Sequence, residues 1–305
     1  MSDESMALLT SWNLEPELVV GLMVAIGLYF VGWMRLSRRT SEGGPLIRWW
    51  AWCYCSGMAA IAIALLSPVE TFSGLFFFVH MIQHLLLMLV AAPLLWLGAP
   101  ILPLMWALPR RVRVGLGRMF ACGRPLHALL NFLTNPLVAQ ALFLATLAGW
   151  HVPPYYDIAQ GRSLVHEFEH TMFLGTSLLF WWPVVHPWGG KRRLSYEAGI
   201  AYFIPPILVS NLIGALLTFA GRPLYTNYLH VPRLWGISVV LDQQLGGLIM
   251  WVPGMIPYAI AIFLLVSQLM KQGELREKEV EIAAAIQRKQ LGTEPDEGAE
   301  EVDAL

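Results

Sequence analysis

The chain has 305 residues, of which 56% are hydrophobic and only 13% charged, against about 25% charged in an average soluble domain. That balance excludes an ordinary soluble fold, and a net charge of −1 supplies no field that would draw nucleic acid. The three cysteines, Cys53, Cys55 and Cys122, are an odd set without the paired spacing of a disulfide framework.

The first seventeen residues are acidic where a cleavable leader would be basic, so the first apolar run is expected to persist as a helix. Apolar runs long enough to cross a hydrocarbon core of roughly 30 Å lie at Leu18–Leu36, Trp49–Leu66, Leu75–Leu97, Pro136–Trp150, Leu164–Val185, Ala198–Ala220 and Leu241–Met270. The fourth is short and has a possible earlier start near Asn131. Pro205 and Pro206 bend or break the sixth, and Pro253 and Pro257 kink or tilt the seventh. Residues 100–124 mix apolar residues with arginines, the composition of a helix lying along an interface. Residues 271–290 read as a charged helix leaving the seventh run, and the acidic end, 291–305, reads as disordered. The fold expected is all-α, a polytopic membrane protein built as a seven-transmembrane-helix bundle. It has an outer N-terminal segment (1–17), a membrane domain (18–270) and a cytoplasmic charged helix and tail (271–305).

Positive charge sets the orientation. Segments after the first, third, fifth and seventh runs carry seventeen lysines and arginines, whereas the opposite side carries three, Arg162, Arg222 and Arg233. An odd number of spans with the N-terminus outside and the C-terminus in the cytoplasm satisfies this split; an even number breaks the alternation.

On that topology six of the eight histidines fall on the outer side. His80 and His84 enter the third run, His166 and His170 the fifth, and His151 ends the fourth. Two pentads share one form, His80-Met-Ile-Gln83-His84 and His166-Glu-Phe-Glu169-His170. On a helix, residues i and i+4 lie about 40° apart with i+3 beside them, so each pentad places two imidazoles and an amide or carboxylate on one face. A lone interfacial histidine is more often a hydrogen-bonded side chain than a ligand, but two such pairs with His151 at the same level form a constellation. Gln83 and Glu169 are then ligands or partners that fix the imidazole tautomers, and Asp242 opens the seventh run at the same depth. Imidazole suits zinc, copper and iron alike. Met81 and Met172 offer soft thioethers that would favour Cu(I), although methionines in apolar helices are more often packing. Cys53 and Cys55, two residues apart, point to opposite sides of a helix and read as packing. Trp150–Tyr156 and Trp181-Trp182 read as interfacial aromatic belts.

Several ordered segments resemble one family. They are Ser67-Pro68-Val69-Glu70, the first pentad followed by Ala92-Pro93-Leu94-Leu95-Trp96-Leu97-Gly98-Ala99-Pro100, and Trp150-His151-Val152-Pro153. The second pentad running to Trp182-Pro183, and Asp242-Gln243-Gln244 running to Trp251-Val252-Pro253, complete the set. Over residues 18–270 the chain resembles the cytochrome c oxidase assembly factor CtaG family of the Bacillus type. The resemblance implies a seven-helix plasma-membrane protein (inner membrane where the envelope has two) that matures a heme–copper oxidase and helps supply its copper. It also implies His80, His84, His151, His166 and His170 as ligands, with oxidase subunits, an extracytoplasmic copper donor and membrane lipid as partners.

Three rivals are weighed against this. A zinc hydrolase would use His166, His170 and His84 with Glu169 as general base, but the hydrolases of this build carry a histidine pair on their last span, and the seventh run has none. A heme carrier would set a histidine of the third run opposite one of the fifth. A copper transporter would need a polar path through inner halves that are nearly all apolar.

Overall fold

The computed structural model describes residues 6, 10–38, 45–185 and 194–290. The acidic end 291–305, His186 and the charges Arg39, Lys191, Arg192 and Arg193 lie outside the described residues. Within them every regular element is helical. Helix α1 spans Pro16–Ser37, α2 Pro45–Leu66 and the short α3 Pro68–Ser73. Helix α4, Phe77–Leu85, passes through a π turn, Leu86–Ala91, into α5, Ala92–Leu97. Pro93 offers no N–H to the carbonyl four residues back and its ring crowds that carbonyl, which the wider π turn accommodates. Two short helices follow, α6 (Ile101–Ala107) and α7 (Arg110–Met119), then α8 (Pro125–Leu133), α9 (Pro136–Trp150), α10 (Pro153–Gly161) and α11 (Ser163–Val185). Helices α12 (Tyr196–Tyr202), α13 (Ile204–Phe219), α14 (Val239–Trp251) and α15 (Met255–Gln290) complete the order. Prolines open α1, α3, α8, α9 and α10 within their first turn, where the missing N–H would have no helical acceptor anyway.

Among the described residues, five helices or continuous helix runs are long and apolar enough to cross a membrane: Pro16–Ser37, Arg48–Leu66, Phe77–Leu97, Tyr196–Phe219 and Val239–Gln287. A sixth is formed if α8 and α9, bent by 64° at Thr134–Asn135, are one broken span. Helix α11 has 23 residues, about 35 Å of helix at 1.5 Å per residue, but His166, Glu167, Glu169 and His170 in its first half dilute its apolar character. The run predicted to be the fifth span is therefore present as a helix, less apolar because of its pentad. The predicted breaks appear close to their prolines. The sixth run is interrupted at Phe203, before Pro205, and the seventh at Val252–Gly254, around Pro253. Residues 100–124 fold as α6 and α7 rather than one helix, and α7 buries none of its residues. The charged segment 271–290 continues α15 without interruption.

The α4–π–α5 run is the hub. It packs against α2, α3, α11 and α14, while α14 packs along α13 and α9 along α11. Two indoles fix α11 to this hub. Trp181 Nε1 donates to the Met88 carbonyl inside the π turn at 3.0 Å, and Trp96 Nε1 donates to the Leu178 carbonyl at 2.8 Å. Trp181 is thus a buried brace and not the belt residue the sequence suggested. Helices α13 and α14 approach closely through small residues: a Cβ on Gly247 would lie 2.6 Å from the Gly214 carbonyl oxygen and 2.6 Å from Thr218 Oγ1. Such close backbone approach is how apolar helices associate when no water is expelled between them. Gly247→Leu is therefore expected to force these helices apart and cost about 1–3 kcal/mol, read as a lowered unfolding midpoint of the purified protein. An unchanged midpoint would refute the close-packed crossing.

Candidate metal centre

The two pentads meet. His80 and His84 project from α4 and His166 and His170 from α11, with ring centroids 5.3 Å apart for His80–His166, 5.9 Å for His80–His170 and 5.5 Å for His84–His170. Within each pentad the rings lie 4.0 Å and 4.2 Å apart, as expected for i,i+4 partners. Glu169 lies among them, its Oε1 3.8 Å from His80 Nε2 and 3.7 Å from His84 Nε2. His80 and Glu169 are fully buried. Among the described residues, two sets of three donor atoms fall within 4.8 Å of one another: His80, His84 and His170 form one, and His80, His166 and Glu169 the other. His80 belongs to both.

Hydrogen bonding leaves this cluster incomplete in one direction. The Nε2 atoms of His80, His84, His151, His166 and His170, with His84 Nδ1 and both Glu169 oxygens, are buried without a partner among the described residues. A buried carboxylate is costly unless it is protonated or paired with a cation, and neutral imidazole nitrogens are lone-pair donors to metals. The donor set therefore fits a metal ion. Interatomic spreads under 4.8 Å need only modest side-chain adjustment to reach metal–nitrogen distances near 2.0–2.1 Å.

The surrounding contacts orient the rings. The Gln160 amide nitrogen lies 2.9 Å from His80 Nδ1. Placed so, it donates to Nδ1 and leaves the proton of a neutral His80 on Nε2; turned half a revolution, with its oxygen toward the ring, the same amide holds the proton on Nδ1 and frees Nε2. His151 Nδ1 lies 2.6 Å from the Leu147 carbonyl, which can only accept, so its Nε2 carries the lone pair. His151 shares a small cavity with His84 and Met81 but joins neither three-donor set. Met172 lines a groove beside Trp150 and Tyr155 whose lining includes none of these histidines.

Gln83 and Asp242 act one step back. The Gln83 amide nitrogen donates to the Ala64 carbonyl at 2.9 Å and to the Glu70 carboxylate. Glu70 Oε1 in turn lies 3.9 Å from His166 Nδ1. Burial pushes the Glu70 carboxyl up to about 7, opposed by the Gln83 hydrogen bond and reinforced by Glu15 and Glu167. Asp242 accepts the backbone N–H groups of Phe77 (3.1 Å) and Phe78 (3.0 Å). It thereby caps the start of α4 from another helix, where an anion is favoured. Arg233 binds Asp242 at 3.0 Å and the carbonyls of Leu75 and Tyr228. The Tyr228 hydroxyl reaches the Ser73 carbonyl at 3.0 Å and pairs with Tyr156 at 2.8 Å, and Tyr156 packs edge-on to His80 at 5.4 Å.

Sequence reading alone assigned no role in the site to Gln160, Arg233, Tyr156 or Tyr228. Arg233 had entered only as a topological charge. Glu70 was visible as part of the Ser67-Pro68-Val69-Glu70 segment, without its contact to His166.

A family profile described as cytochrome c oxidase caa3 assembly factor (Caa3_CtaG) matches residues 27–272. Uncharacterized proteins of Mycobacterium bovis and Mycobacterium tuberculosis are each 31% identical over 271 residues, covering 87% of this chain and 40% of theirs. One of Mycobacterium leprae is 28% identical over 270 residues, covering 86% and 40%. The chain thus spans about 40% of the length of these curated relatives. No solved structure matches it.

Proposed function

The chain belongs to the cytochrome c oxidase caa3 assembly factor family, and from that premise we propose that it is a multi-pass plasma-membrane protein that holds copper as cargo and helps deliver it to a heme–copper oxidase. In this reading α11 is a membrane span and α8–α9 a broken one. The count is then seven, with the N-terminus outside, the pentads at the outer level and α15 emerging into the cytoplasm. The observation that carries the reading is the unpartnered set of imidazole nitrogens gathered around the buried Glu169 carboxylate. Imidazole donors suit copper, as they suit zinc and iron, and membership of an oxidase assembly factor family favours copper among them. The direct contact of the rings with one another and with Phe173, 4.3 Å from His84, favours an ion over a heme, which needs a flat slot between its ligands.

The chain's own residues supply binding and release, without catalysis. His80, His84 and His170, or His80, His166 and Glu169, hold the ion, and Gln160, with its amide oxygen turned to the ring, keeps the His80 proton on Nδ1. A three-donor set leaves a position open through which an oxidase subunit exchanges ligands, and an extracytoplasmic donor delivers copper from the same side. Cells lacking this chain are expected to assemble an oxidase deficient in copper. Wild-type chain restores it and a His80→Ala/His84→Ala variant does not. Full copper content in the oxidase of the deletion cells would overturn the proposal.

A further inference from the structure

A groove runs between α1, α2 and α11 and reaches the histidine cluster. Its outer end carries the carboxylates of Glu15, Glu17, Glu70 and Glu167, with no lysine or arginine among the described lining residues. His166 and His170 line it beside Glu167 on the same stretch of α11. Beyond them along the helices the walls turn apolar, through residues such as Leu22, Met58 and Leu174. His170 is only 6% exposed, and its Nε2, without a hydrogen-bond partner, belongs to this lining. Each of these two histidines belongs to a different three-donor set, so the groove touches both sets at one ligand each. The N-terminal stretch forms the outer wall and is tied in place. Asn13 N–H donates to the Leu66 carbonyl at 3.1 Å, and Thr71 Oγ1 donates to the Ser11 carbonyl at 3.0 Å.

We propose that this groove is the entry route for the metal cation, with Glu15, Glu17 and Glu167 concentrating it at the mouth and His166 and His170 receiving it. The inference rests on the copper reading above and adds the path. Clefts lined by one sign of charge and walled by low-dielectric material raise the encounter rate of the opposite ion, by 10-fold or more at low salt. The opposite side of the cluster gives no such approach: His84 and His151 there border a small cavity closed by Leu85, Met88, Phe143 and Leu147.

The test is the rate at which the purified full chain takes up Cu(I) from a water-soluble chelate, followed by stopped flow at low and high salt. Glu15→Gln/Glu17→Gln/Glu167→Gln is expected to load roughly 10-fold more slowly at low salt, with a weakened salt dependence and an unchanged final stoichiometry. Gly21→Phe places a ring in the groove at a position where an added Cβ meets nothing within 4 Å. It should slow loading at all salt concentrations. Removing three carboxylates from α15, as Glu274→Gln/Glu277→Gln/Glu279→Gln, should leave the rate unchanged. If wild-type protein loads and both groove variants load at its rate, the entry route is wrong while the copper reading stands. Wild-type protein that takes up no Cu(I) overturns both.

Discussion

His80→Ala should lower the affinity of the protein for Cu(I) by at least about 100-fold, because His80 belongs to both three-donor sets. Substituting groups that merely orient a metal ligand commonly costs 10–100-fold in affinity, so removing the shared ligand sits at or beyond the upper end of that range. The other histidines should rank by geometry. His84→Ala and His166→Ala each leave one set whole and are expected to cost about 10-fold. His151→Ala should cost less, since His151 lies in neither set. His127→Ala, half-buried on α8 and paired with Asn131, should change nothing. Competition against a Cu(I) chelator of known affinity measures the series. A His80→Ala variant that binds like wild type, or a His151→Ala variant that falls as far as His80→Ala, would contradict the shared-ligand geometry.

Asp242→Ala is expected to destabilise the fold by about 3–5 kcal/mol, the cost of breaking a buried ion pair from one side. The carboxylate is fully buried and holds three donors at once, the Phe77 and Phe78 N–H groups and Arg233. Its loss strands two N–H groups at the start of α4 and leaves a guanidinium only 22% exposed without its counter-charge. Because α4 carries His80 and His84, Cu(I) affinity should fall together with stability, although Asp242 touches neither ring. Adding Arg233→Met to the Asp242→Ala background removes the unpaired cation and should recover part of the loss, a coupling that a double-mutant cycle isolates. Thermal or denaturant unfolding of the four proteins in one detergent reads it. Additive losses, with no recovery in the double variant, would show that the pair does not act as a unit.

How legible this was in the sequence varied with the range of the interaction. The pentads were readable because i,i+4 spacing is a local property of a helix, and their convergence followed once both were placed at one depth. Prolines marked the breaks in the sixth and seventh runs for the same local reason. The π turn, by contrast, depends on how Pro93 is accommodated within a packed hub, and its Met88 carbonyl finds a partner, Trp181, 93 residues away. Gln83 shows the limit most clearly. Its place in the first pentad suggested an imidazole partner, yet the side chain turns to the Ala64 carbonyl and Glu70 on neighbouring elements. Asp242 was rightly placed at the level of the histidines, but as the cap of another helix, a role set by tertiary packing. Met172, two residues from His170 on the same helix, points to a different groove, as helical geometry requires.

X-ray absorption at the copper edge of the reduced, Cu(I)-loaded protein tests the central claim most directly. The account predicts one copper surrounded by three to four nitrogen or oxygen donors with imidazole scattering, and loss of that signal in His80→Ala. Sulfur-dominated coordination, or copper whose spectrum is the same in wild type and His80→Ala, would contradict it.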